Sequence, residues 1–163
     1  MSADPDILRQ AMRFWTTGVT IVTSAHDNIQ HGMTVSSFTS LSLNPPQVLI
    51  ALAQNSRTHD LVTRSRIFGI SILANDQQEL SDRFAGRVPD EFDRLTGLET
   101  FRLATGAPLL QGGLAHLDCR VVTTLGSGTH TVFIGEVLAA QGIARADVEP
   151  LIYFDREYRK LQK

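Results

Sequence analysis

The apolar residues of this chain fall in short runs separated by turn residues, a pattern typical of strands more than of long helices. Residues 19–25 (VTIVTSA) are rich in β-branched side chains and predict a strand. His26-Asp27-Asn28 has the chemistry of a turn, so residues 30–39, which carry several hydroxyls, are predicted to pair with that strand as a hairpin.

The most informative stretch covers residues 31–58 (HGMTVSSFTSLSLNPPQVLIALAQNSRT). Its first part reads as a strand lined by hydroxyls, and Pro45-Pro46, which excludes regular pairing, predicts a corner. Residues 48–53 are the most apolar run in the chain and predict a strand buried on both faces. Asn55 or Ser56 can then cap a helix whose free N–H groups, with Arg57, would attract an anion such as phosphate. We interpret this stretch as a cradle for a phosphate and a ring.

The other predicted elements are short. Asp4 as cap and Pro5 as first helical residue predict a helix to about residue 13. A capping box, with Asn75 as cap and Gln78 three residues later, predicts a helix that ends near Gly86. We also predict a helix at 58–65, a strand at 67–73 and a short helix at 89–95. Residues 114–125 and 129–142 are predicted to pair as a hairpin around the turn 126–128. A last strand is predicted at 150–154, before a charged tail.

About six strands with three or four short helices predict a mainly β, antiparallel barrel with helical decoration. The 163 residues are expected to form a single domain. Lys plus Arg is 15 and Asp plus Glu is 17, so a nucleic-acid binder with a broad basic face is not expected. We find neither a secretory leader nor an apolar run long enough to cross a membrane, and one cysteine, Cys119, fits a reducing compartment, so the cytoplasm is expected.

Several familiar kinds of site lack support in the sequence. The five histidines have neither a His-x-x-x-His pair nor a CxxC companion, so no metal site is expected. The chain has no phosphate-binding loop of the P-loop type, and Gly126-Ser127-Gly128 precedes a strand, so it is read as a hairpin turn and not as a dinucleotide fingerprint. There is no Gly-x-Ser-x-Gly elbow, and Cys119 lies within a strand pattern, where a small buried residue is expected.

Eight short motifs, taken in order, resemble the flavin reductase-like family, which has the FMN-binding split-barrel fold. They are residues 14–23 (FWTTGVTIVT), 32–38 (GMTVSSF), 42–46 (SLNPP), 55–58 (NSRT), 84–86 (FAG), 128–130 (GTH), 135–137 (GEV) and 150–154 (PLIYF). The resemblance covers nearly the whole chain. It implies a six-stranded antiparallel split β-barrel of Greek-key topology with short helices.

The resemblance also implies which residues meet the cofactors. The residues expected to bind the flavin are Thr34, Val35, Ser36 and Ser37 at its ring edge or ribityl chain, Ala51, Leu52, Ala53 and Gln54 beside the ring, Asn55, Ser56 and Thr58 at the phosphate, and Phe84, Ala85, Gly86 and Arg87 closing over it. His130 and Tyr158 are expected to approach the nicotinamide nucleotide. Family members often have Gly-Asp-His where this chain has Gly128-Thr129-His130, which weakens the role of His130. By residue type alone, Ser56 and Thr58 also suit plain helix capping, Phe84 core packing and His130 an exposed histidine.

The implied function is an NAD(P)H-dependent flavin reductase, a homodimer that passes hydride from NADH to FMN or FAD and supplies reduced flavin to a separate monooxygenase. Such a reaction needs oriented rings and little side-chain acid–base chemistry, so the lack of a catalytic triad does not argue against it. Two alternatives stay open: a carrier or storage protein that binds FMN without nicotinamide turnover, and a split-barrel oxidase of a small amine or phosphorylated vitamer, for which no basic cluster stands out. The sequence separates neither FMN from FAD nor NADH from NADPH.

Overall fold

The computed structural model describes residues 2–87, 93–142 and 148–161. These residues contain three helices, α1 (Pro5–Met12), α2 (Arg57–Ser65) and α3 (Gln78–Phe84). The strands are β1 (Thr17–Gly18), β2 (Thr20–His26), β3 (Ile29–Val35), β4 (Phe38–Leu43), β5 (Pro46–Ala53), β6 (Ile67–Ile72), β7 (Thr100–Phe101), β8 (Leu109–Leu110), β9 (Ala115–Ser127), β10 (His130–Gly142), β11 (Ile152–Phe154) and β12 (Glu157–Arg159). None of the helices in these ranges is long and apolar enough to cross a bilayer.

The main sheet has seven strands in the order β3-β2-β6-β9-β10-β5-β4, and every pairing is antiparallel. The prediction of a mainly β, antiparallel fold with short helices is confirmed. The predicted count of six strands is wrong for this sheet, and the described pairings run from one edge strand, β3, to the other, β4, without closing into a ring. A three-stranded sheet (β1-β11-β12) and a two-stranded sheet (β7-β8) complete the fold.

Two tight turns follow from local chemistry. Asp27 and Asn28 join β2 to β3 with positive φ angles of 49° and 63°, a conformation that Asp and Asn tolerate better than most residues. Asp155 and Arg156 join β11 to β12 in the same way, with φ angles of 51° and 66°. The charged tail therefore begins with a strand, β12, that the sequence pattern did not predict.

The hydroxyl-rich stretch forms two strands, so the prediction of one strand over residues 30–39 is wrong. The backbone of β3 pairs with β2 as far as Val35, whose carbonyl accepts a hydrogen bond of 2.7 Å from Thr20 Oγ1. At Ser37 the chain has changed partner, since Ala51 N donates to Ser37 O at 3.1 Å. The break at residues 36–37 is where the chain leaves β2 and joins β5.

The apolar strand β5 is buried on one face only, which corrects the prediction of burial on both. Val48, Ile50 and Leu52 are buried, whereas the alternate residues Leu49 and Ala51 are half-buried. The double proline does form the predicted corner, but Pro46 is the first residue of β5 and stands opposite Leu43 in the ladder. A proline is tolerated there because the first residue of a strand need not donate to its neighbour.

The helix starts were predicted with mixed success. Asp4 caps α1, accepting a hydrogen bond from Asp6 N at 2.8 Å, as predicted. Helix α3 starts after Gln77, and not after Asn75 as the capping box suggested. Asn75 N instead donates to Glu149 O at 2.8 Å, and Ala74 bridges to Pro150, so this segment is held extended.

The predicted hairpin of β9 and β10 is confirmed, with its turn at residues 128–129, because Gly126 and Ser127 still belong to β9. Most of the predicted helix at 89–95 lies outside the described residues.

Side chains from six strands of the main sheet, β2, β3, β5, β6, β9 and β10, meet in one buried cluster that includes Phe68 and Phe133, and Phe38 of β4 packs against it. Cys119 belongs to this cluster, as predicted, and burial raises the pKa of its thiol to about 12. A second cluster contains Phe84 of α3 and Leu151, with Tyr153 and Tyr158 packed against it. An open space lies between helices α2 and α3 and the C-terminal hairpin.

Candidate functional site

A cleft of about 470 Å³ is bordered by β3, the start of α2, the end of α3 and the β11–β12 hairpin. Its lining combines polar and cationic side chains with apolar ones. The described lining residues are Val19, His31, Met33, Thr34, Ser36, Asn55, Ser56, Arg57, Thr58, Ser81, Phe84, Ala85, Arg87, Arg94, Tyr153 and Tyr158. Three of them are arginines, and none is an aspartate or glutamate.

The start of α2 supplies hydrogen-bond donors to this cleft. Ser56 is the N-cap: its Oγ accepts from His59 N at 3.2 Å and donates to Ala53 O at 2.8 Å. The N–H groups of the first turn have no acceptor within a helix, so those of Arg57 and Thr58 can serve an anion. Arg57 adds an exposed guanidinium at the same point. Backbone donors and a cation therefore meet at the start of α2, an arrangement that suits an anion.

Thr58 is fully buried beneath the helix start, and its Oγ1 lies 2.8 Å from His31 Nδ1. This contact ties α2 to β3. The side chain of Thr58 therefore fixes the wall of the cleft, and its predicted contact with a phosphate stays a prediction.

The hydroxyls of the predicted cradle have different hydrogen-bond partners. Thr34 Oγ1 donates to Ser81 O at 2.6 Å and joins β3 to α3. Ser37 Oγ donates to Ala51 O at 2.7 Å and continues the pairing of the chain with β5. Ser36, which lies between them, is exposed and faces the cleft.

A second cavity of about 610 Å³ begins at Ser36, which lines both spaces. Its walls are mostly apolar, and its residues are Trp15, Thr16, Thr17, Gly18, Thr20, Ser36, Ser37, Phe38, Thr39, Leu49, Ala51 and Ile72. Leu49 and Ala51 present the face of β5 that the core leaves half-buried. The cradle therefore has a polar cleft at one end and a broad apolar cavity at the other.

Helix α3 and the C-terminal hairpin are joined by a hydrogen-bonded group at the rim of the cleft. Tyr158 Oη lies 2.8 Å from Ser81 Oγ and 2.9 Å from Asp82 Oδ1. Arg87 Nη1 donates to the same Asp82 oxygen at 2.8 Å, and its Cζ lies 5.9 Å from the centroid of the Tyr158 ring. Burial raises the pKa of Tyr158, so this phenol stays protonated and can donate to the carboxylate. Arg87 is thereby held at the entrance, with half of its side chain exposed.

Phe84 forms the floor of the cleft and is fully buried. It packs against Gly32 so closely that a β-carbon at Gly32 would lie 2.8 Å from Phe84 Cε1. Arg94 Nη1 donates to Phe84 O at 2.8 Å and to Gly32 O at 3.3 Å. The glycine at the start of the 32–38 motif is thus explained by a close approach between β3 and α3.

The structure brings together nine of the residues that the resemblance implied. Thr34, Ser36, Asn55, Ser56, Thr58, Phe84, Ala85, Arg87 and Tyr158 line the cleft, while Ser37 and Ala51 line the second cavity with Ser36. Val35 and Leu52 direct their side chains into the core, so only their backbone could meet a ligand. Ala53, Gln54 and Gly86 line neither space.

His130 also lies outside both cavities. It is exposed at the start of β10, with its Nδ1 3.0 Å from Thr129 Oγ1, and Gln54 Nε2 donates to its carbonyl at 3.1 Å. Among the described residues of this one chain, no contact brings its imidazole to the cleft.

Six lining residues were not expected in the site from the sequence: Val19, His31, Met33, Ser81, Arg94 and Tyr153. Val19 and Met33 lie within the quoted motifs. His31 and Tyr153 lie in or beside the quoted motifs, so their position was the available signal. Ser81 and Arg94 had none, because their role depends on contacts with β3 and β12 that are distant in sequence.

The sequence and structure comparisons with known proteins agree with one another. A sequence profile of the flavin reductase like domain matches residues 12–162. An NADH-dependent flavin reductase from Rhodococcus sp. is 37% identical over 166 residues, which cover 98% of this chain and 90% of that protein. The reductase subunit HsaB of a flavin-dependent monooxygenase from Rhodococcus jostii is 35% identical over 159 residues, 98% of this chain and 79% of that protein. Among solved structures, the NADH:FAD oxidoreductase SgcE6 of Streptomyces globisporus matches with a TM-score of 0.89 and 32% identity, covering 100% of this chain and 98% of that one.

Proposed function

The chain belongs to the flavin reductase-like domain family, and on that premise we propose that it is an NADH-dependent flavin reductase that supplies reduced flavin to a separate monooxygenase. Its relatives include an NADH-dependent flavin reductase, the reductase subunit of a flavin-dependent monooxygenase and an NADH:FAD oxidoreductase. The observation on this chain that carries the proposal is the cleft, whose described lining has three arginines and several hydroxyls but no carboxylate. Such a lining suits a phosphorylated ligand.

The residues present fit a flavin nucleotide. Its phosphate would be held by the first-turn N–H groups of α2 and by Arg57. Its ribityl hydroxyls would meet Ser36 at the junction of the two spaces. The apolar second cavity, with Ser37 and Ala51 on its wall, would take the flat ring. We propose that these contacts serve FMN or the FMN half of FAD.

The flavin, when bound, supplies the hydride-accepting chemistry. The chain's own residues bind and orient. Arg87, held through Asp82 together with Tyr158, would hold the nicotinamide nucleotide at the entrance of the cleft, because its half-exposed guanidinium has further N–H groups that can donate to phosphate or carboxamide oxygens. The Tyr158 hydroxyl gives its one proton to Asp82 or Ser81, and its oxygen would accept from the carboxamide N–H.

We further propose that the seven-stranded sheet curls into a split barrel and that residues 1–163 form one domain. The support is the buried cluster to which six strands of the main sheet contribute and against which Phe38 of the seventh strand, β4, packs. The lone, buried Cys119 suits a reducing compartment, so we place the protein in the cytoplasm.

A homodimer is the assembly that we propose, with the oxygenase as a separate partner. Phe14, Trp15 and Leu43 are large apolar residues that are 77%, 67% and 89% exposed. Trp15 also borders the second cavity, next to Phe38 of β4. A second copy seated here would remove apolar surface from water and cover the space proposed for the flavin ring.

The test is an anaerobic assay of the purified protein with NADH and a molar excess of FMN or FAD. We expect catalytic loss of nicotinamide absorbance, with many flavins reduced per protein molecule. Absence of turnover with every pairing of FMN or FAD with NADH or NADPH would refute the proposal. Tightly copurifying flavin with negligible NADH oxidation would instead identify the carrier or storage protein.

A further inference from the structure

The last turn of α3 carries an aspartate, Asp82, at a place where a negative charge is unfavourable. The carbonyl groups at the C-terminal end of a helix carry partial negative charge, so an acidic side chain there costs stability. Asp82 lies two residues before Phe84, the last residue of the helix. A residue that violates such a local rule commonly serves a functional contact, and the Asp82 carboxylate makes two contacts at the rim of the cleft.

The backbone after α3 brings Arg87 back to the side of Asp82. Gly86 N donates to Arg83 O at 3.3 Å and Arg87 N donates to Asp82 O at 3.2 Å, which are the two hydrogen bonds of a Schellman motif. Gly86 has the positive φ angle, 72°, that this motif requires. The motif explains the glycine of the 84–86 segment and fixes the place from which the Arg87 side chain begins.

Arg87 and Asp82 also form an ion pair that is only partly open to water. Arg87 Nη1 lies 2.8 Å from Asp82 Oδ1, and the two side chains are 50% and 29% exposed. The same carboxylate oxygen lies 2.9 Å from Tyr158 Oη. The described lining of the cleft has three arginines and no carboxylate, so Asp82 places a negative charge beside one of the cations that face the ligand. A phosphate that approaches Arg87 therefore meets a guanidinium whose charge is already partly balanced.

We propose that Asp82 is a positioning residue that limits the affinity of the cleft for the nicotinamide dinucleotide. The carboxylate holds Arg87 in place and, by balancing its charge, keeps the pyrophosphate weakly bound, so that NADH enters and NAD⁺ leaves in each turnover. This inference rests on the proposed function, which makes the dinucleotide a substrate that must exchange. Both forms carry the same pyrophosphate, so tighter binding of this group would not accelerate hydride transfer.

The test is Asp82→Asn, because the amide oxygen can still accept from Arg87 and Tyr158 while the negative charge is lost. Dissociation constants would be measured for NADH by fluorescence titration, for NAD⁺ by competition with NADH, and for FMN by flavin fluorescence. We expect the Kd of NADH and of NAD⁺ to fall about threefold and to depend more steeply on salt. The Kd of FMN should stay constant, since its phosphate is proposed to lie at α2.

Two further variants separate the charge of Asp82 from its structural contacts. Asp82→Glu, which restores the negative charge, should restore the parental Kd of NADH and its salt dependence. Glu79→Gln removes an exposed acid from the same helix and should change none of the three constants. An unchanged Kd of NADH in Asp82→Asn would overturn the proposal. A higher one would also overturn it, because the carboxylate would then serve only to hold Arg87.

A double-mutant cycle tests whether Asp82 acts through Arg87. Arg87→Gln alone should raise the Kd of NADH about fivefold, and in that background Asp82→Asn should have little further effect. A fall of the same size in both backgrounds would mean that Asp82 acts without Arg87, which would overturn the proposal. All of these measurements record binding and none needs turnover, so failure of the reductase activity would be seen separately from failure of this inference.

Discussion

At the scale of single residues, Gly32 sets the distance between β3 and α3. A β-carbon there would lie 2.8 Å from Phe84 Cε1 and 3.0 Å from Thr23 Cγ2, so Gly32→Ala must displace the buried phenyl ring that floors the cleft. We expect the free energy of unfolding, measured with urea, to fall by about 1–3 kcal/mol. The matched control is Gly126→Ala, where the nearest atom, Gln54 Nε2, is 4.0 Å away; a change there beyond about 0.5 kcal/mol would contradict the steric explanation.

Arg57 carries the charge at the start of α2 and lines the cleft. Because a charged hydrogen bond to phosphate would be lost, Arg57→Gln should raise the Kd of FMN and of FAD about tenfold, and the difference from the parent should shrink at high salt. Arg120→Gln, which removes an exposed arginine paired with Glu136, is the control. If flavin affinity responded equally to both substitutions, the phosphate would not lie at α2.

Tyr158 hydrogen-bonds the C-terminal hairpin to α3. Tyr158→Phe removes the hydroxyl that lies 2.8 Å from Ser81 Oγ and 2.9 Å from Asp82 Oδ1, so Arg87 loses part of its support. We expect KM for NADH to rise about threefold and the Kd of FMN to stay constant, since the phosphate site on α2 is untouched. His130 is exposed and lies outside the cleft of its own chain, so His130→Ala should leave KM for NADH and the Kd of FMN unchanged. A larger effect than that of Tyr158→Phe would mean that His130 acts in a site not formed by its own chain.

His116 links the stability of the core to pH. It is fully buried, its Nε2 lies 2.7 Å from Leu110 O, and burial lowers its pKa below the ordinary 6.5. The unfolded chain therefore takes up a proton before the folded protein does, and stability that is fully present above pH ~6.5 is lost as the pH falls below it. In urea titrations, the parent should lose stability between about pH 7 and about pH 5 more steeply than His116→Gln. The surface substitution His130→Gln is the control and should lose stability with falling pH as steeply as the parent. If the free energy of unfolding had the same slope against pH in all three proteins, His116 would not be the cause of the pH dependence.

At the scale of elements, the features that the sequence predicted are those decided within a few residues. The turn at Asp27 and Asn28 and the cap at Ser56 need only their own side chains and the next backbone N–H groups. The break at Ser36–Ser37 was missed because it depends on β5 taking over from β2 as the partner strand. The cap at Asn75 failed for the same kind of reason, since its N–H group is used by Glu149.

The candidate site likewise has local features that the sequence could predict and long-range contacts that it could not. Its motif residues Ser36, Ser56 and Phe84 could be identified from the sequence, since each lies in a short recognisable segment. The contacts that give the cleft its shape could not, because Thr58 reaches His31 and Tyr158 reaches Asp82 across long stretches of chain. The resemblance supplied the list of residues, whereas packing decided that Val35 and Leu52 turn their side chains to the core.

At the scale of the whole molecule, the apolar surface around the second cavity leads to a prediction about assembly. Leu43, at the end of edge strand β4, is 89% exposed, and Trp15 at the rim of the cavity is 67% exposed. If a second copy covers this surface, a buried glutamate there would oppose association, so Leu43→Glu should sediment as a monomer where the parent sediments as a dimer.

The same substitution should also weaken flavin binding, because the second cavity would be left open to water on the side that the other copy covers. We expect the Kd of FMN to rise at least fivefold in Leu43→Glu and to depend on protein concentration in the parent (a fivefold change corresponds to ~1 kcal/mol). Val122→Glu, on the exposed part of β9, tests whether any added surface charge has this effect and should remain a dimer with parental affinity. A monomeric parent with tight FMN binding would show that one chain completes the site alone. A dimeric Leu43→Glu would place the contact elsewhere on the surface.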